Sequence, residues 1–491
     1  MPRVTDIATS IFVKHGTMAV ASVLAIWLAF SIILMFHPAG YMYEDEFCHF
    51  ALARDSIHSL KNFVYVWQRP GLSALHVLPA QAGFQWARAT SLAVSLLAIA
   101  AIYSLGKQGP SKSGNLAVLF ALVQPFFVLD SYTVMTEVPF ALFLALGLLL
   151  WVKKKGIAAA LAFSALPLFR PEGFILLPVL ALAIIASNTV PTIPRRILCL
   201  LCLGVGTAIW VGLGWYDSGN PFFLYSDNTY RQAPTGIYGS GDIFGQLFNY
   251  VVCVGGIVAI LALIGTVRLI RRKQYLFPAL SIAFVGFHVI LYYFGLWGEA
   301  KLERYFVAIL PVTAILASEG VISIGGLVRP KIVSADARLS LWHRAGSFQA
   351  LLIAFCVLVF LLHTCLHVAL GATRPVYGNM QKSLVWLKEY SRNNPVPTVV
   401  SEHPFYVVWL GIDKDYPKEH CSYSSTDIQN LPPGSIILYD TACANADKDR
   451  GAIPAPVLNQ KLFKEIAVFE DTSRFGTVKA YRRQDSSAPS P

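Results

Sequence analysis

The chain alternates long apolar runs with short polar connections, a pattern that predicts membrane-spanning helices over most of its length. Eleven runs read as spans, at positions 18–36, 86–105, 116–129, 138–152, 157–168, 174–186, 197–215, 243–267, 276–296, 305–327 and 348–370. The fifth and sixth are short and are joined by Arg170-Pro171-Glu172-Gly173, where proline removes a helix donor and glycine favours a turn. They read either as two buried, tilted helices or as one broken helix. The first run lacks a small-residue cleavage site and is expected to stay as an anchor. Between the first two spans, Phe47, Phe50, Ala51, Ile57, Leu60 and Val64 fall on one side of a helix, opposite Asp55, Ser56 and Asn62. This predicts a moderately amphipathic helix, lying at the interface or packed on neighbouring spans.

The pattern changes after residue 370. A helical stretch at 381–391, strand-like runs at 398–400, 435–439 and 477–481, and the turn Pro432-Pro433-Gly434 predict a small α/β domain. The expected organisation is a membrane domain over 1–372, an α/β domain over 373–483 and a disordered Ser/Ala/Pro-rich tail over 484–491.

Composition agrees with this pattern. Of 491 residues, 55% are hydrophobic and only 14% charged, too apolar for a soluble enzyme. The fold class is therefore a polytopic α-helical membrane protein, of about 11 spans, with a small C-terminal extracytoplasmic α/β domain. Charge sets the orientation. With the N-terminus inside and eleven crossings, the inner loops collect Lys153 to Lys155, Arg195, Arg196, Arg268 to Lys273 and the basic cluster from Arg329 to Arg344, as the positive-inside rule requires. Merging the fifth and sixth spans would scatter these across both sides. The net charge of +11 is thus explained by topology and is no argument for nucleic-acid binding. Acids show the opposite bias, and the outer loops, two of them long, carry the candidate chemistry.

Foremost is Glu44-Asp45-Glu46, three carboxylates just beyond the first span. Acids beside a membrane boundary face water, a polar cavity or a cation, so the run is either a solvated loop or the acidic centre of an active site. At a helix N-terminus the dipole would favour their ionised form. Cys199, Cys202, Cys253, Cys356 and Cys365 lie in spans and read as structural thiols, and His363 and His367 read as interfacial or packed rather than ligating. Cys421 and Cys443, the pair sharing the exported domain, are a candidate disulfide. No spacing resembles a closed ligand set, so neither a cofactor nor a divalent metal is expected.

The order of short motifs carries a resemblance. Asp45-Glu46 follows the first span, Arg69-Pro70 precedes Arg88 at the second, and Thr136-Glu137-Val138-Pro139 opens the fourth. Leu168 to Gly173 and Glu303-Arg304-Tyr305, leading to Pro311, complete the series. Over residues 18–330 the chain resembles the GT-C superfamily of integral-membrane glycosyltransferases, nearest the protein O-mannosyltransferase and lipid A aminoarabinose transferase branch.

The resemblance implies transfer of a sugar from a polyprenyl-phosphate donor to a glycan, lipid or protein acceptor on the extracytoplasmic or lumenal side. The membrane would be a bacterial inner membrane or that of the endoplasmic reticulum. It also implies that an acid of the first loop is the general base, with Asp45 matching the first acid of the family pair and Glu44 and Glu46 as neighbours. Glu137 is read either as positioning the acceptor or Asp45, or as a loop acid. A hydroxyl nucleophile gains from a carboxylate base, and a departing lipid phosphate gains from cations. The donor-phosphate candidates are Arg304, then Lys301, Arg231, Arg69 and Arg170, although Arg170 equally suits pairing with Glu172. Direct attack predicts inversion. The competing class is a transporter or flippase of a lipid-linked or polar solute, against which stand few mid-span charges and no inverted repeat of hydropathy.

A reporter active only in the cytoplasm, fused after Arg483, is expected to be silent. Activity there would overturn the orientation.

Overall fold

Most of the expected helices form, but several are shorter or more broken than the apolar pattern suggests. A computed structural model describes residues 4–37, 43–187, 189–228, 235–236, 238–327, 377–401, 428–441, 462–470 and 477–485, with isolated positions that include Arg231, His403, Phe405, Tyr406 and Leu458. Four helices among the described residues are long and apolar enough to cross a membrane: Phe84–Gln108, Ile193–Ser218, Leu276–Phe294 and Glu303–Ile324. Shorter apolar helices span Val20–Phe36, Glu137–Val152, Gly156–Leu168 and Gly173–Ala186.

The expected 157–168 and 174–186 runs are separate helices, divided at Arg170-Pro171-Glu172. The 116–129 run is not one helix. It forms Gly114–Leu122 and Pro125–Asp130, because Gln124 is extended and Pro125 has no N–H to continue the ladder. The 243–267 run is likewise two helices, Ile243–Val254 and Gly256–Arg271, bent by 105° at Gly255, whose φ of 87° suits glycine. The 348–370 run falls almost wholly outside the described residues.

The chain forms two compact units built from non-contiguous segments. The first takes Met1–Met35, Phe63–Leu75 and Arg88–Cys365; the second takes Phe36–Asn62, His76–Ala87 and Leu366–Pro491. Within the first, Gly256–Arg271 and Leu310–Leu327 pack backbone to backbone. A Cβ on Gly265 would lie 1.8 Å from the Leu316 carbonyl oxygen, and one on Gly320 would lie 2.1 Å from that of Leu261. Arg268 closes the same contact through a 2.8 Å ion pair with buried Glu319.

The second unit contains a four-stranded sheet in the order β1-β2-β4-β3, from β1 (Val399–Ser401), β2 (Ile436–Asp440), β3 (Phe463–Phe469) and β4 (Val478–Arg483). The β1/β2 pair is parallel and the other two are antiparallel. Val400, Ile437, Tyr439, Phe463 and Tyr481 form its core beside the helix Gly378–Asn393. β3 is not evident in the sequence pattern, since its register shifts between Glu465 and Ala467 and breaks the alternation.

The expected amphipathic helix is corrected. It runs only over Glu44–Asp55, and residues Leu60–Val64 form a separate short helix. Glu46, Phe47, His49, Phe50, Ala51, Leu52 and Ala53 are all buried, so most of its circumference is covered and no one-sided apolar face remains. Phe47 packs on Phe84, Tyr377 and Phe405 within the second unit.

Gly265→Ala should separate two helix backbones and lower stability by about 1–3 kcal/mol or more. Gly212→Ala, where nothing lies within 4 Å of the added methyl, should be neutral or mildly stabilising. Thermal midpoints in detergent compare the two, and equal midpoints would contradict the close helix contact.

Candidate active site

Glu137 begins the helix Glu137–Val152 and is buried, with its carboxylate in the first turn, where the helix dipole favours negative charge. Thirty-odd residues on, Pro171 and Gly173 interrupt the next helical pair and leave Arg170 and Glu172 at the break. The buried Arg170 guanidinium lies 2.6 Å from Glu137 Oε1 and 2.5 Å from Glu172 Oε1, and donates to Thr136 Oγ1 at 3.1 Å. Its guanidinium carbon is 4.9 Å from the Tyr305 ring centroid.

From Glu172 the network continues into the helix Leu276–Phe294. His288 Nε2 is 3.3 Å from Glu172 Oε1 and its Nδ1 is 2.9 Å from Glu299 Oε1. Gln246 also donates to Glu299 at 2.8 Å, and the His288 ring stacks on Tyr305 at 5.3 Å. Arg304, on the segment after Glu299, has its Nε 3.7 Å from Glu137 Oε1. Arg69 is near enough to act electrostatically on Glu137, and adopts φ 67°, an uncommon left-handed conformation for an arginine. Burial opposes charge on Glu172, but Arg170 and His288 outweigh it and hold the carboxyl well below the usual glutamate range. Burial likewise opposes charge on Arg170, and Glu172 and Glu137 override it.

In the second unit the acidic run occupies the first turn of Glu44–Asp55. Glu46 is fully buried, whereas the Glu44 side chain is 44% exposed. His403 Nδ1 accepts from the Phe405 N–H at 3.1 Å, which places the proton of the neutral ring on Nε2, 3.7 Å from Glu44 Oε1. Tyr377 packs edge-on to His403, and burial, reinforced by Glu44, Glu46 and Asp45, keeps its phenol well above its ordinary value. Nearby, burial and then His49 push the His76 imidazole down to about 3, leaving it neutral.

Of the residues singled out in the sequence, Glu137, Arg170, Arg304 and Arg69 share one environment in the first unit, and Asp45 and Glu46 share another in the second. Two candidate cations stand apart from Glu137. Lys301 pairs with Asp242 at 2.6 Å, and Arg231 lies exposed over the Tyr225 ring at 3.8 Å. Cys421 and Cys443 lie outside the described residues. His288, Glu299, Gln246, His403 and Tyr377 escape the sequence reading. A histidine inside an apolar run was the available signal for His288, and an acid in an outer loop, just beyond the 276–296 run, was the signal for Glu299.

Comparison with protein-family models and with curated proteins gives no match. Among solved structures, ArnT from Cupriavidus metallidurans in the apo state matches over 93% of this chain and 97% of its own, with TM-score 0.60 and 15% identity. The chain has an ArnT-like fold. Because the match to ArnT leaves out only 7% of the chain, the likeness extends into the second unit as well as the first. The oligosaccharyltransferase of Archaeoglobus fulgidus, also apo, matches with TM-score 0.48 and 15% identity over 96% of this chain and 75% of its own.

Arg170→Ala should cost about 3–5 kcal/mol at neutral pH, because it strands two buried carboxylates. Glu172 contributes stability above the ordinary glutamate value and loses it as pH falls through its lower folded value. The deficit of the variant should therefore shrink in acid, where protonation relieves the stranded carboxylates. Thermal midpoints across pH would show this, and a deficit constant with pH would refute it.

Proposed function

We propose that this protein is a membrane glycosyltransferase that moves a hexosyl or pentosyl group from a polyprenyl-phosphate-linked donor to a hydroxyl-bearing acceptor. The observation that carries the reading is the ArnT-like fold, matched along nearly the whole of both chains. The arginines gathered around Glu137 support it, since a membrane unit that handles a lipid phosphate needs fixed cations.

Arg304 is assigned to the donor phosphate. It is a second buried guanidinium beside Glu137, at 3.7 Å, next to Arg170, which pairs with Glu137 and Glu172 at 2.6 and 2.5 Å. As the sugar–phosphate bond breaks, negative charge grows on the leaving phosphate, and a planar guanidinium meets two of its oxygens at once. Asp45 is assigned as the base that takes the acceptor proton during direct, inverting attack. Its place in the first turn of a helix favours the ionised form that a base requires. Glu137 is assigned to holding the arginines. No cofactor or metal is invoked, and the acceptor is taken to be met on the extracytoplasmic or lumenal face.

The test has two readouts. Purified protein given a labelled polyprenyl-phosphate-sugar should release polyprenyl phosphate, which a transporter or flippase would leave intact. Asp45→Asn should then lower transfer by about 10²–10⁴-fold while donor affinity stays nearly unchanged, because Asn keeps the shape of Asp but cannot accept the proton. Asn or Gln at 44 and 46 should do less. Near wild-type turnover in Asp45→Asn would move the base elsewhere.

A further inference from the structure

The strongest feature outside this site lies at the opposite end of the Gly156–Leu168 and Gly173–Ala186 helices from Arg170. There the 154–158 and 189–199 segments line an open cavity of about 320 Å³, with Lys154, Lys155, Arg195 and the first residues of a helix in its wall. We propose that this cavity binds the phosphate of an anionic phospholipid headgroup. The proposal is independent of the glycosyltransferase reading.

Three observations converge. First, Lys154, Lys155 and Arg195 are exposed and have no carboxylate partner among the described residues, although other basic residues of the same unit do, such as Arg268 with Glu319. Second, these cations stand where two helices begin. Lys155 immediately precedes Gly156–Ser164, without a side-chain cap hydrogen bond, and Arg195 lies in the first turn of Ile193–Leu203. Free N–H groups and the positive dipole end favour an anion there, so added cations repel the helix unless an anion sits between them.

Third, the cavity is built as well as charged. Gly156 lets its helix approach the following loop so closely that a Cβ would lie 2.8 Å from Val190 Cγ2. Arg196 fastens that loop by donating to the Val190 and Ser187 carbonyls at 2.8 and 3.1 Å. Lys154 holds φ 59°, a left-handed position at the end of the preceding helix that usually falls to glycine.

The chemistry shared by all suitable ligands is a phosphate. A lipid source is favoured because the lining also presents apolar Ile157, Ala158, Val190 and Pro191, beside Thr189 and Cys199, and because the cavity opens where apolar helices end. Basic pockets between spans, beside the leaflet that basic loops face, recognise headgroups in this way.

The test uses the full-length protein in detergent, titrated with phosphatidylglycerol, phosphatidylcholine or inorganic phosphate and read by native mass spectrometry. One phosphatidylglycerol should be retained in preference to phosphatidylcholine. In the triple variant Lys154→Ala, Lys155→Ala, Arg195→Ala it should bind on the order of a hundredfold more weakly, from roughly one decade or less per cation. The single variant Arg195→Gln, which keeps the fold at less risk, should show a severalfold loss. A control triple at exposed Lys107, Arg271 and Lys273, each to Ala, should bind like wild type. Equal retention of the two lipids, equal loss in the control, or no loss in Arg195→Gln would overturn the proposal. So would inorganic phosphate at millimolar concentration displacing the lipid, which would assign the cavity to a soluble anion.

Discussion

The first unit depends on one buried cation. Arg170 lies between Glu137 and Glu172 where the surrounding helices are almost wholly apolar, and its removal would leave two buried carboxylates without their nearest cation. The pairing also explains why a helical break is kept at that place. A continuous helix through 157–186 would satisfy its own backbone but would point residues 170 and 172 along different faces. The turn at Pro171 lets both reach into the same network. Through Glu172, His288 and Glu299 the same constraint passes to the helices Leu276–Phe294 and Ile243–Val254, so charge neutrality fixes the mutual placement of elements that apolar packing alone would leave free to slide.

Much of this was legible in the sequence, for identifiable reasons. Helices written as apolar runs are recoverable because every backbone group in lipid must be satisfied internally, which leaves helix as the default. The Arg170–Glu172 alternative was visible in the spacing across Pro171. What the pattern could not show was the breaks at Gln124-Pro125 and Gly255, because hydropathy averages over a bend. The Glu44–Asp55 helix misled for a related reason. Its wheel leaves open whether one side meets the membrane interface or neighbouring spans, whereas aromatic residues more than three hundred positions later, Tyr377 and Phe405, pack on it. Long-range burial of that kind leaves no local signal.

That burial changes how the second unit is understood. Residues 373–483 read as a small α/β domain, and by contacts the sheet belongs to a unit that also contains the Glu44–Asp55 helix and the segment His76–Ala87. Ser383 and Tyr406 share a 2.6 Å hydrogen bond within it, and His403 brings its imidazole to within 3.7 Å of Glu44. The late part of the chain thus builds the environment of acids that occur near its beginning.

The three consecutive acids consequently stop being equivalent. In sequence they are interchangeable neighbours. In the structure Glu46 is fully buried, while Glu44 is half-exposed and lies 3.7 Å from the Nε2 of His403. A base must be ionised and must also meet an acceptor hydroxyl arriving from outside the protein interior. Complete burial argues against Glu46 on the second requirement, and the imidazole contact draws Glu44 toward a positioning part. Asp45, partly exposed between them on the same helical turn, meets the demand for access that Glu46 does not, which is why the proposed reading gives it the part of base. Separation of like acids by environment, rather than by residue type, is a general way for one short stretch to divide acid, base and structural roles.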